Sequence, residues 1–195
     1  MKEKMEKEIV NALLAEPDAE HVIYAGSATS KETITSTDKF SADLISIAAR
    51  KAKNLVPKIR RPHVEGKDYY VMVIDSYQAR DLKNDEKWLA AQRNCAERGS
   101  KNPIFTGMLG VYDGVIIHEY EEMPRKTYGS VKVGTGLLLG CQAAVQAIAK
   151  TPDWKEKKFD YDNKYGVAIR AIWGHKKSRF EFTEGEEQTK VGKDF

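Results

Sequence analysis

The chain has 195 residues, a formal net charge of +3, and 41% hydrophobic against 31% charged residues. That length supports one sizeable core or two small lobes, and so small a net charge does not by itself point to nucleic acid or an anionic membrane. The two cysteines, Cys95 and Cys141, lack metal-ligand spacing and predict reduced, partly buried thiols. The highly charged Met1–Lys7 segment leads into no apolar stretch of signal-peptide type. The longest apolar run, Gly136–Ala149, is interrupted by Gln142 and Gln146 and is too short to span a bilayer, so no membrane partner is expected.

In chain order, Lys2–Ala15 has helical periodicity, with Met5, Ile9, Ala12 and Leu13 on one face and Pro17 closing it. A short β-prone patch, His21–Tyr24, precedes a Ser/Thr-rich connector. An amphipathic helix is predicted from about Asp38 to Asn54, with Phe40, Leu44, Ile47 and Ala48 on its apolar face. Ser36, Thr37 or Asp38 would cap it. The apolar run Tyr69–Ile74 reads as a strand buried on both faces. Asp75 or Ser76 then caps a short helix, and Trp88–Arg93 starts another that Gly99 stops. Asn102–Gly107 and Leu109-Gly110 are punctuation. Asp113-Gly114, set between two β-prone runs, predicts a hairpin with positive φ at both turn residues.

Further on, Glu119–Pro124 is acidic and Arg125–Gly136 reads as a loop. Leu137–Lys150 is expected to be a helix whose apolar face holds Leu138, Cys141, Val145, Ile148 and Ala149. The remainder reads as β. Phe159 and Tyr161 lead to an Asp162-Asn163 turn, after which Val167, Ile169, Ala171 and Trp173 alternate with their neighbours. Gly174 is expected to break that strand, and Phe180 with Phe182 to start the next. Glu184–Asp194 is charged and expected to be loosely ordered.

Candidate chemistry is sparse. His118-Glu119-Tyr120-Glu121-Glu122 lacks the second histidine of a helical zinc motif and the Pro-Cys-x-x-Cys of a deaminase. It reads as the end of a hairpin strand running into solvent. No Gly-x-Ser-x-Gly elbow surrounds Gly26-Ser27. Gly134-Thr135-Gly136 lacks the third glycine and the preceding strand of a dinucleotide fingerprint, and reads as a flexible loop feeding a helix. The stretch from Arg50 to Arg61 holds six basic residues (Arg50, Lys51, Lys53, Lys58, Arg60, Arg61) and no acid. It reads either as a solvated helix end or as a surface facing polyphosphate. Lys176, Lys177 and Arg179 form a smaller cluster of the same kind. No catalytic, cofactor-binding or metal-ligating residue is assigned.

The string from Tyr69 to Glu119 resembles the core of the phage major capsid proteins typified by coliphage N-four. It carries Tyr77-Gln78 before Asp81-Leu82, Trp88, Asn102–Gly107, Gly110 and the His118-Glu119 ending. Looser similarity runs from Thr37 to Phe180. Asp75-Ser76 stands where the family pattern has a His-Pro pair. The resemblance implies the Hong Kong 97-type α+β capsid fold with peripheral and axial lobes. Residues 1–183 would form one unit, about 1–60 and 160–183 peripheral and about 61–159 mostly axial, followed by a charged tail at 184–195. It implies a structural virion protein, not an enzyme, whose copies self-assemble into capsomers and an icosahedral shell around double-stranded DNA. Scaffold and portal proteins are further implied partners, and the host cytoplasm is the implied place of assembly. Members of the family are about twice as long, with an N-terminal arm and an extended loop that have no counterpart in this sequence. The chain is therefore expected to correspond to the C-terminal half of such a protein and not to close a shell alone. The rival expectations are a decoration or binding module, and a small enzyme using His118 and nearby carboxylates.

Overall fold

The computed structural model describes residues 1–56, 58–64, 66–94, 109–184 and 189–194. In chain order they form α1 (Lys2–Leu14), α2 (Ala42–Asn54), the short β1 (His63–Val64) and β2 (Lys67–Asp68), β3 (Tyr70–Ile74), α3 (Ser76–Lys83) and α4 (Glu86–Arg93). There follow β4 (Val111–Tyr112), β5 (Val115–Glu119), β6 (Lys126–Tyr128), β7 (Val131–Val133), β8 (Leu137–Leu139), β9 (Ala144–Phe159), β10 (Lys164–Lys177), β11 (Arg179–Glu184) and β12 (Thr189–Asp194).

The apolar run at 70–74 becomes the inner strand of a four-stranded sheet of order β4-β5-β3-β8. β3 lies parallel to β5, from Tyr70 opposite Val115 to Ile74 opposite Glu119, and antiparallel to β8. Period-two alternation buries Tyr70, Met72 and Ile74, with Val115 and Ile117 beside them on β5. Val71 and Val73 are only half-buried, so the strand is fully buried on one face and not, as expected, on both. Against them pack Ala42, Ile45, Ala49 and Ala52 of α2, Ala79 and Leu82 of α3, and Trp88 of α4. Each fully buried large apolar side chain here contributes about 1.5–3 kcal/mol.

Asp113 (φ 48°) and Gly114 (φ 74°) form the expected turn, placing Tyr112 opposite Val115. A Cβ at Gly114 would meet nothing within 4 Å, so a substitution there meets backbone strain alone. Gly114→Val is expected to cost roughly 1–3 kcal/mol, read as a lower urea midpoint. An unchanged midpoint would contradict the turn.

A second unit is the long antiparallel pair of β9 and β10. Its turn runs through Asp160, Tyr161 and Asp162, all with positive φ, and Asn163 N donates to Asp160 O at 2.9 Å. α1 lies against the base of β10. There Trp173 Nε1 donates to Glu8 Oε2, and Lys177 Nζ donates to the carbonyls of Ala15 (2.7 Å) and Glu16 (3.0 Å).

Several expectations are corrected. Leu137–Lys150 is not a helix: Leu137–Leu139 pair with β3, Gln142 has φ 64°, and Ala144 already belongs to β9. Non-local pairing overrides the helix propensity of this Ala- and Leu-rich stretch. Gly174 does not break its strand, since it pairs with Ala147 within β10. Arg125–Gly136 contains the β6–β7 hairpin, and His21–Tyr24 forms no strand. α2 starts later than expected, at Ala42, because Asp38 instead accepts hydrogen bonds from Thr35 N and Thr35 Oγ1 at 2.8 Å each, closing a turn. The buried face of α2 is the alanine-rich one, while Ile47 is 41% exposed. In the tail, Thr189–Asp194 pairs with β11 instead of lying unstructured. The expectations placed on Gly99 and Asn102–Gly107 fall outside the described residues.

Candidate functional site

The acidic segment after β5 is built into the structure through its neighbours. His118 and Glu119 are exposed at the strand end, and Glu119 lies 4.0 Å from Lys83. Tyr120 N donates to Ile74 O at 2.9 Å, and Lys7 of α1 pairs with Glu122 at 2.8 Å. The hydrogen bond and charge of Glu122 raise the Lys7 ammonium pKa. Burial, reinforced by Glu122, Glu6 and Glu3, pushes the Tyr120 phenol up. Among the described residues, no group of His, Cys, Asp and Glu side chains is placed to hold a metal ion. His118 thus lies at a strand end, as its sequence context suggested.

The buried ionic feature of this region is one that sequence reasoning missed. Asp75 is fully buried and caps α3, with its backbone N–H donating to Gln78 Oε1 at 3.1 Å. Arg125 Nε donates to Asp75 Oδ1 at 2.8 Å, and Arg125 Nη2 also reaches Asp75 Oδ1, Ser76 Oγ (2.8 Å) and Glu121 O (3.1 Å). The guanidinium stacks over the Tyr77 ring, 4.9 Å from its centroid. Asp75 was legible as a cap, but its partner fifty positions away left no local signal. The Gly134–Gly136 loop passes close by: a Cβ on Gly134 would sit 3.3 Å from Asp75 Oδ2. That loop feeds strand β8, not a helix, and it faces a carboxylate, so it is no phosphate cradle.

The basic stretch is brought together only in part. Arg50, Lys53, Lys58, Arg60 and Arg61 are exposed, whereas Lys51 Nζ donates to Val22 O at 3.1 Å. Arg61 lies 6.0 Å from the Tyr70 ring centroid. The second basic cluster is mostly engaged, with Lys177 on the end of α1 and Arg179 on Asp18 at 3.3 Å. Cys141 is a free, half-buried thiol.

The described residues thus form a layered α+β unit with a small four-stranded sheet and a long two-stranded hairpin. The chain belongs to the phage capsid protein family, whose pattern matches residues 2–195. The major capsid protein of Pseudomonas phage KPP25 is 30% identical over 169 residues, which cover 82% of this chain and 44% of that protein. The capsid of Ralstonia phage GP4 is 33% identical with a TM-score of 0.70, covering 92% of this chain and 51% of the other. The Cyanophage Pam1 capsid asymmetric unit shares the fold at 23% identity, with a TM-score of 0.75 over 90% of this chain and 61% of its own. The chain thus spans about half the length of the relatives it matches. The Hong Kong 97-type α+β fold expected from the resemblance is the fold observed.

Proposed function

We propose that this chain acts as a major capsid protein subunit, its copies lying side by side in the head shell of a phage. The observation that carries this reading is the family match along essentially the whole chain. In this reading the central sheet with α2, α3 and α4 is the axial lobe, and α1 with β9 to β12 is the peripheral lobe. Pairing of β9 with β10 along their length supports keeping both strands in one lobe, instead of dividing the chain near residue 160. Burial of α2 in the core of the sheet likewise supports moving it to the axial side. The mature location is the virion, reached by assembly in the host cytoplasm, with scaffold and portal proteins as further partners.

Native mass measurement with negative-stain microscopy tests the proposal. Multiples of the 22.0 kDa chain that grow with concentration are expected. A chain that remains a monomer at every concentration contradicts it and favours a decoration or binding module.

The exposed cations of the Arg50–Arg61 stretch supply a surface for packaged duplex DNA, bound through phosphates and without sequence preference. Neutralising Lys58, Arg60 and Arg61 together is expected to reduce the slope of log affinity against log salt by about 2–3. Flat salt dependence of the wild-type chain, or no change in the triple variant, removes this role.

A further inference from the structure

The β9–β10 hairpin has two unlike faces. Register places Trp154 opposite Ile169, Glu156 opposite Val167 and Lys158 opposite Tyr165 on one side, with Trp173 further along that face. The other side carries Asp153 opposite Arg170, Lys155 opposite Ala168 and Lys157 opposite Gly166. The first face is therefore the more apolar, with Glu156 and Lys158 as its charged members, and the other is more ionic, with Phe159 and Ile172 as its large apolar members. α1 covers the apolar face only at its base, where Glu8 meets Trp173. Beyond that point Trp154 (55%), Tyr165 (70%), Val167 (55%) and Ile169 (54%) are exposed.

The two edges also differ. β9 carries Pro152 and the extra residues of two register irregularities, features that guard an edge against further pairing. β10 contains no proline, runs continuously from Lys164 to Lys177, and pairs with β9 alone among the described residues. A two-stranded ribbon of this kind is marginal in water without a third strand or a covering element. The four residues expose apolar surface on the order of 500 Å², the upper range for the largest patch of a monomer. With the adjoining β10 edge they approach the roughly 800 Å² per partner of a specific interface.

We infer that the open β10 edge and the apolar face beside it form a contact between copies of this chain, a strand of the second copy adding alongside β10. The inference rests on the shell reading, which supplies the second copy, and deepens it by naming the surface used. The alternation of Val167, Ile169, Ala171 and Trp173 was legible in the sequence, but that Trp154 joins the same face follows only from the register.

The test compares self-association of the full chain, by sedimentation over a concentration series, in the wild type, Ile169→Lys on the apolar face and Ala168→Lys on the ionic face. Both sites are exposed, and circular dichroism checks that each variant is folded. At least tenfold weaker association for Ile169→Lys, with Ala168→Lys close to wild type, is expected. Hydrogen exchange of the unmutated chain gives an independent reading: amides of residues 165–171 should gain protection as concentration rises, and those of 150–158 should not. Wild-type association untouched by Ile169→Lys, with no concentration-dependent protection of β10, overturns the inference and leaves the shell reading standing. A purely monomeric wild type overturns both. Duplex DNA binding that protects β10 while the mass stays that of one chain also overturns the inference, making the hairpin a nucleic-acid surface.

Discussion

Replacing Arg125 by methionine is expected to destabilise the chain by about 2–3 kcal/mol, because it strands the Asp75 carboxylate in the interior. Asp75 is 0% exposed and Arg125 is 37% exposed at its side chain. Removing one partner of a fully buried pair costs about 3–5 kcal/mol, and water reaching the half-open side of this one moves the cost to the low end. For a chain of this size, that corresponds to a melting temperature lower by roughly 5–10 °C. The double variant Asp75→Asn/Arg125→Met removes the stranded charge and should recover part of the loss. The α3 cap contributes separately, so recovery will be incomplete. Thermal melts of the three proteins decide the matter. A single variant that melts with the wild type would mean that water solvates the carboxylate without its partner.

Trp88→Ala carries the largest expected cost, about 3–5 kcal/mol, through loss of an aromatic side chain from the core and the cavity that remains. Trp88 is 3% exposed, and its ring centroid lies 5.5 Å from that of Tyr112 in a tilted pair. It joins α4 to the β4–β5 hairpin and so holds the helical layer onto the sheet. Its indole N–H has no hydrogen-bond partner among the described residues. Trp88→Phe keeps a ring against Tyr112 and removes that unpaired donor, so it should lose distinctly less stability. Urea denaturation of both variants checks the order. Equal losses would show that the ring pair does not hold the two layers together.

What the sequence revealed follows from how local each feature is. β3 was legible because its run of Tyr, Val, Met and Ile is bounded by charged residues. The Asp75 cap and the Asp113-Gly114 turn were legible because their geometry is set by neighbours in sequence. α2 was visible as a helix and its expected face was right in part: Phe40 and Ala48 pack against the core, whereas Ile47 is exposed and Ala42, Ile45, Ala49 and Ala52 are the buried residues. The Leu137–Lys150 stretch failed for a different reason. Its own composition favours a helix, while its structure is dictated by β3 and β10, strands far away in the chain. The Arg125–Asp75 pair was invisible on the same ground, whereas the alternation of Val167, Ile169, Ala171 and Trp173 showed one strand of the hairpin but not its partner.

The most direct test of the shell reading is an electron cryomicroscopy reconstruction of the assemblies the purified chain forms. The account predicts laterally packed copies, each with the Hong Kong 97-type fold, the central sheets gathered around a common axis and the β9–β10 hairpins at the periphery. Copies that associate with the hairpins gathered at the axis would contradict it.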